Sequence, residues 1–315
     1  MHPHDPIAAA LDHCLRAPTT VPPLDSVDQW WPGWAALAAQ PSSPMALALL
    51  GGFAADRVGW AFAAGYQSAL RSLVPSLPVQ ALAAFCVTEE GGNRPRDIRT
   101  LITPGAGGGF HVSGSKRWTT LGPQGTLLLV TGRHASAATD ERPALKVALV
   151  QADQPGVTIV PMPETAFVPE VPHARIHLQD VAIDAASLLP GDGYSNYVKP
   201  FRTLEDTFVT AAVLAYLLRE ARARGWPADL RERLSAALSA LAMVAQSHRD
   251  APTTHVALAG ALHWAAALYD EAGALWATTP EDPASRRWLR DAPLFAVAAG
   301  ARQQRAARAW ERLQA

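Results

Sequence analysis

Apolar positions recur at helical spacing towards both ends of this chain and in short, punctuated runs through its middle. Near the start, Ile7, Ala10, Leu11 and Cys14 or Leu15 fall on one face of a helix. From Pro44 to about Leu73 the residues are almost continuously apolar, which predicts a buried helix or helix pair that opens at Pro44 and ends before Pro75. From about Gln80 to Pro190 the texture changes. IRTLI, FHVSG, TLLLVTG, KVALVQ, VTIVPM and ARIHL are each bounded by Gly, Pro or Asp, the spacing of an antiparallel sandwich or barrel. Beyond Gly193, Leu230, Leu234, Leu238, Leu241 and Val244 recur at steps of three or four. Val256, Ala259, Leu262, Ala266 and Tyr269 do so again, and a basic last helix follows. The predicted fold class is α+β: an N-terminal helical block over 1–79, a central antiparallel β-sandwich or barrel over 80–192, and a C-terminal helical bundle over 193–315.

Composition narrows the function classes. The 315 residues are 49% hydrophobic and 17% charged, so the chain buries a sizeable core. Lys+Arg number 27 against 28 Asp+Glu, which leaves no basic excess to hold a nucleic acid. No apolar run reaches the roughly 20 residues of a membrane span. MHPHDP lacks the charged and apolar regions of a secretory signal, so a cytoplasmic location is expected. Two cysteines, Cys14 and Cys86, form neither a disulfide framework nor a metal cluster. PGAGGG (Pro104 to Gly109) reads as a hairpin loop, because it lacks the Lys-Ser/Thr and the following helix of a phosphate loop. Trp30, Trp31 and Trp34 read as anchors between short helices rather than a binding surface. The run Arg302 to Arg308 reads as a solvated helix face.

Four phrases carry a more specific signal. AFCVTEEGG (Ala84 to Gly92), GSKRWTTLG (Gly114 to Gly122), ARIHLQDVAIDAASLLPGDG (Ala174 to Gly193) and RTLEDTFVTAAVLAYLLREAR (Arg202 to Arg222) stand in one order. In order and spacing they resemble the acyl-CoA dehydrogenase family of flavoproteins. RRWLRDAPLFAVAAGARQQ (Arg286 to Gln304) is a weaker echo. The resemblance implies a flavin adenine dinucleotide (FAD) cofactor, an acyl-CoA-like small-molecule substrate, a role in fatty acid metabolism and a homo-oligomer. It places Trp118 and Thr120 over the isoalloxazine, with Thr120 near N5, and Thr88 at the pyrimidine end. The residue chemistry agrees: an indole supplies area and an N–H, and a hydroxyl reaches a ring nitrogen. From the pattern alone, a core tryptophan and two ordinary strand threonines remain the alternative.

The reaction so implied is α,β-dehydrogenation of an acyl thioester, in which a desolvated glutamate removes the α-proton. The family's commoner position for that acid reads Ala299-Gly300-Ala301 here. Its rarer position, near the start of the helix beginning around Arg202, holds Glu205. A first-turn helix acid is the alternative reading of Glu205. The family's following Arg is Asp206 here, a like charge beside the candidate base.

Other departures fall on the cofactor's tail. The turn after Thr-Glu reads Glu90-Gly91-Gly92-Asn93-Arg94-Pro95, one residue short and without the family's serine; Asn93 or Arg94 stands where that contact is made, and Arg94 reads equally as a phosphate ligand or as a solvated loop arginine. The family's Arg-x-x-F-G and Gly-Gly-x-Gly phrases are missing. FAD binding is therefore expected to be weakened or lost. Two other readings stay open: a degenerate, non-catalytic member acting as a binding or structural partner, for instance of a paralogue, and a flavin-dependent monooxygenase of the same fold.

Overall fold

Proline and small polar residues set the helix starts as the sequence suggests. The computed structural model describes residues 5–40, 42–135 and 144–314. Asp5 accepts from the Ile7 N–H to cap α1 (Pro6–Arg16), Ser26 caps α2 (Val27–Ala38), and Ser43 caps α3 (Pro44–Phe53), whose first residue is proline. α4 (Val58–Leu73) completes the expected helix pair. After the strands come α5 (Lys199–Ala223), α6 (Ala228–Gln246), α7 (Pro252–Ala277), α8 (Pro283–Asp291) and α9 (Ala299–Gln314). The chain divides into two units. A helical unit takes Met1–Pro75, Ala166–Glu170 and Thr203–Ala315; a β unit takes Ser76–Thr165 and Val171–Arg202. The first and last blocks of the sequence thus pack within one unit.

In the helical unit, α1 buries Ile7, Ala10 and Cys14 and leaves Leu15 outside. Trp30 stacks on Trp60 at 5.7 Å, and Trp31 on Trp34 at 5.4 Å, so these rings are packing anchors. The Arg71 guanidinium lies 4.6 Å from the Trp34 ring centroid, and burial holds it down at about 10. Helices α3, α4 and α5 meet at backbone distance. A Cβ on Gly52 would sit 2.1 Å from the Ala212 carbonyl oxygen, and one on Gly65 would sit 2.5 Å from the Val209 Cα. Farther along, Trp276 stacks on Trp288 at 4.6 Å and Tyr269 on Phe295 at 4.3 Å.

The buried face of α7 overlaps the predicted one at Leu262 and Tyr269 and is rotated from it elsewhere. Leu258, Ala261, Ala265, Leu268, Ala272 and Trp276 point inward, while Ala266 is exposed. This helix is so rich in alanine that apolar positions occur on every face, and periodicity alone cannot choose between them. Arg302 and Arg305 are also not the solvated face expected: both pair with the buried Asp206 at 2.8 Å.

Among the described residues the β unit holds seven strands: β1 (Ala83–Cys86), β2 (Leu101–Pro104), β3 (Phe110–Thr120), β4 (Leu127–His134), β5 (Leu145–Gln151), β6 (Val157–Pro161) and β7 (His173–Ile183). PGAGGG is the connection of the β2–β3 hairpin, as read. The order is β1-β4-β2-β3-β7-β6, with β5 on the other edge of β4. Most pairings are antiparallel. β1 and β2, however, run parallel to β4, sharing one edge of it along Leu127 to Val130 and along Arg133 and His134. Ile102, Val112, Leu128, Val130, Ala148, Val150, Ile176 and Val181 fill the interior. Cys86 lies in the same core, and burial pushes its thiol up to about 12.

Candidate functional site

Strand alternation decides which side chains of GSKRWTTLG face out, and a bulge changes that decision halfway. Lys116 pairs with Ile176 and Thr119 with Ala174, so two residues of β3, Arg117 and Trp118, oppose the single Arg175 of β7. With unbroken alternation Lys116, Trp118 and Thr120 would share one face. The bulge shifts the phase. Lys116 and Thr119 are buried, while Trp118 is 45% exposed and Thr120 half-buried. Trp118 takes φ 55°, a left-handed conformation uncommon for a bulky residue.

Around these two side chains a small polar surface forms. Trp118 meets His173 edge-on at 5.9 Å, and His173 Nε2 lies 3.4 Å from the Thr120 hydroxyl. Burial lowers the basicity of His173, only partly offset by a backbone hydrogen bond at Val171. The Trp118 backbone N–H donates to the Met162 thioether at 3.3 Å, a weak acceptor. Arg117 stacks its guanidinium 5.6 Å from the Trp118 centroid, and its N–H donates to the Thr88 carbonyl at 2.8 Å. Thr88, half-buried, is thereby tied to the bulge. His173 and Met162 escape sequence reasoning because only the β7 register and the chain leaving β6 bring them here.

One carboxylate fixes this arrangement. Glu89 accepts from Lys116 Nζ at 2.6 Å, from the Thr100 hydroxyl at 2.7 Å, and from the N–H groups of Thr100 and Arg99 at 3.0 and 2.6 Å. Burial alone would raise the Glu89 carboxyl. The Lys116 ammonium and the Thr100 hydrogen bonds outweigh it and hold the group below the ordinary glutamate range. Glu89 and Lys116 are a structural pair, legible in sequence only as an acid and a lysine inside two matched phrases.

The remaining candidates lie apart in the chain. Arg94 is exposed, and its N–H donates to Asp97 at 3.1 Å in a short turn. Asn93 accepts from Arg202 at 3.4 Å. Glu205 belongs to the helical unit, half-buried on α5. Helix α5 starts at Lys199 and is preceded by a π-type turn over Tyr194–Val198, so Glu205 lies in the second turn rather than the first. Macrodipole stabilisation of a first-turn acid, which fades within that turn, is a poor account of it. Asp206, the like charge beside it, is compensated by Arg302 and Arg305. Ala299, Gly300 and Ala301 open α9. Among the described residues no group of three or more His, Cys, Asp or Glu is placed to hold a metal ion, and no helix is long and apolar enough to cross a membrane.

Residues 84–181 match the family described as acyl-CoA dehydrogenase, middle domain. No curated protein sequence matches the chain. Solved structures do. Butyryl-CoA dehydrogenase from Megasphaera elsdenii aligns over 98% of this chain and 99% of its own, with a TM-score of 0.69 at 15% identity. FkbI, described as acting in biosynthesis of the methoxymalonyl extender unit of the polyketide Fk520, aligns over 98% and 99%, with a TM-score of 0.63 at 18% identity. A glutaryl-CoA dehydrogenase from Mycobacterium smegmatis in complex with FADH2 aligns over 97% and 93%, with a TM-score of 0.60 at 15% identity. Residues 84–181 thus carry the middle domain of the acyl-CoA dehydrogenases, and the fold of the chain is the one these solved structures share.

Proposed function

We propose that this protein is a flavin-dependent oxidoreductase that dehydrogenates an acyl thioester. The observation that carries the reading is the bulge at Arg117 and Trp118, which turns Trp118 and Thr120 outward together beside His173. The donors fit a flavin edge. The Trp118 backbone N–H donates to a thioether, so a carbonyl of the ring system would be a better acceptor. The Thr120 hydroxyl has a long 3.4 Å contact to His173 and is free to turn towards a ring nitrogen. In this proposal the Trp118 indole packs the ring, Thr120 reaches its N5 edge, and Thr88 lies at its pyrimidine end. A bound flavin supplies hydride acceptance from the substrate β-carbon. Glu205 takes the α-proton, as the family resemblance implies. The resemblance points to a CoA thioester as the class of substrate.

Titrating the purified chain with FAD tests the reading. Saturable quenching of tryptophan fluorescence with a perturbed flavin spectrum is expected, and anaerobic addition of an acyl-CoA should bleach that spectrum. No saturable binding at high micromolar FAD would overturn it.

Non-catalytic service as a partner protein is the second reading, favoured by Ala299 standing where the commoner family acid would emerge. A chain that binds FAD but is bleached by no acyl-CoA fits it.

A further inference from the structure

His173 opens β7 directly opposite Thr120 at the end of β3, so the two side chains stand on one face of the sheet as a cross-strand pair. The backbone is fixed on both sides of the pair. The Pro172 carbonyl accepts from the Leu121 N–H at 2.8 Å, and the His173 carbonyl accepts from the Met162 N–H at 2.8 Å. The imidazole ring is held in its turn, edge-on to Trp118 with the two planes at 73°. Its Nε2 comes to 3.4 Å from the Thr120 hydroxyl, the one hydrogen-bond contact of that side chain among the described residues.

A hydroxyl carries one hydrogen and can also accept, while an imidazole nitrogen accepts or donates according to its tautomer. That versatility matters beside a flavin N5, which accepts a hydrogen bond in the oxidised ring and carries a hydrogen of its own in the reduced one. Facing the oxidised ring, Thr120 donates its hydrogen to N5 and needs no second partner. Facing the reduced ring, the Thr120 oxygen accepts instead, and the hydroxyl hydrogen needs another acceptor. His173 Nε2 is within reach as that acceptor. Burial lowers the basicity of the ring, which keeps a lone pair on it.

We infer that His173 is a positioning residue for the proposed reaction, taking the Thr120 hydrogen when N5 carries one and so stabilising the reduced cofactor over the oxidised one. The inference rests on the flavin reading above and goes beyond it by assigning a side chain that acts on the cofactor through Thr120. In that reaction the β-carbon gives a hydride to N5 and the α-proton goes to Glu205, and the two C–H bonds that break leave a carbon–carbon double bond. Neither electrons nor protons pass through His173.

The test compares the affinity of the full chain for oxidised FAD and for FAD kept reduced with dithionite, both measured anaerobically. The chains are the wild type, His173→Phe, His173→Gln, Thr120→Val and the double variant. His173→Phe keeps a ring against Trp118 and removes the acceptor. The preference for reduced over oxidised FAD should then fall about tenfold, which is a drop of about 30 mV in the two-electron potential of the bound cofactor, with little change in the affinity for oxidised FAD. His173→Gln, whose amide oxygen can take the same hydrogen, should restore most of the preference. In the Thr120→Val background, His173→Phe should change nothing further. A folding defect or a loss of ring packing would weaken both oxidation states alike, whatever the residue at 120. An unchanged preference in His173→Phe, or the same shift in the Thr120→Val background, overturns the inference and leaves the flavin reading in place. No saturable binding of FAD in either oxidation state by the wild type removes the flavin reading itself, and this inference with it.

Discussion

The Lys116 ammonium, fully buried, lies 2.6 Å from a Glu89 oxygen at the root of the turn that carries Thr88. Breaking such a pair from one side leaves a charge with no compensation in a low-dielectric interior. Glu89→Gln and Lys116→Met should each cost about 3–5 kcal/mol, and the double substitution less than the sum of the two. Urea unfolding of the three variants measures this. The pH dependence follows in sign. The folded carboxyl titrates below its unfolded value, so its stabilisation is complete above the ordinary glutamate range and is lost as pH falls through the lower folded value. The wild type should lose stability in that acid window and Glu89→Gln should lose less.

Trp118 separates a surface role from a core role. A buried tryptophan replaced by alanine costs about 3–5 kcal/mol. Because Trp118 is 45% exposed on the outer side of the bulge, Trp118→Ala should change stability by about 1 kcal/mol or less. The same substitution should weaken flavin binding by about tenfold, the scale of one stacked aromatic contact. Chemical denaturation and FAD titration on one preparation decide it. A large loss of stability with unchanged affinity would return Trp118 to the core.

His173 provides a second pH handle on the same, acid side, in a milder range than Glu89. Burial lowers its folded value, so the unfolded chain takes up the proton first as pH falls. Stability is intact above the ordinary histidine range, declines as pH falls from there to the lower folded value, and is flat in this group below it. His173→Phe keeps a ring against Trp118 and removes the titration. The difference in urea midpoint between wild type and variant should therefore shift across the mildly acid range, and a constant difference would show that His173 does not titrate this way.

Helix crossing in the helical unit depends on two missing methyl groups. Gly52→Ala would force a Cβ to 2.1 Å from the Ala212 carbonyl, and Gly65→Ala to 2.5 Å from the Val209 Cα, both against backbone that cannot rotate away. Each substitution should destabilise by about 3 kcal/mol, the upper end of ordinary overpacking. Gly260, with open space around it, gains helix propensity on the same change and should be neutral or slightly stabilised. Thermal unfolding of the three alanine variants checks the contrast.

What was legible in the sequence follows from contrast along the chain. The capped helices after Asp5, Ser26 and Ser43, the strands bounded by Gly and Pro, and the leucine repeat of α6 all carry a local signal. Three features do not. The parallel pairing of β1 and β2 with β4 is a long-range choice that short apolar runs do not encode. The bulge at Arg117 and Trp118 breaks period two without a glycine or proline to mark it. The pairing of Asp206 with Arg302 and Arg305 joins residues some hundred positions apart, so the basic run looked like a solvated face. The candidate wall of Trp118 and Thr120 was therefore readable as a motif, while the reason both face outward lies in a register no local pattern shows.

Glu205 and Asp206 are neighbours with opposite expectations. Asp206 is buried, and its two oxygens are held by Arg302 and Arg305 at 2.8 Å, an arrangement that fixes α9 against α5. Asp206→Asn should cost about 3 kcal/mol or more by leaving two guanidiniums without their anion. Any loss of turnover should then track the loss of folded protein. Glu205 is half-buried in the second turn of α5, outside the reach of simple helix-end electrostatics. If it is the base, Glu205→Gln should leave stability and flavin affinity close to wild type and abolish bleaching of the flavin by an acyl-CoA. The rate should fall by at least about 10² to 10⁴, the usual contribution of a positioned proton acceptor. Single-turnover bleaching measured beside urea unfolding separates the two residues. Full activity in Glu205→Gln would remove it from the mechanism and leave the chain without a carboxylate base at either family position.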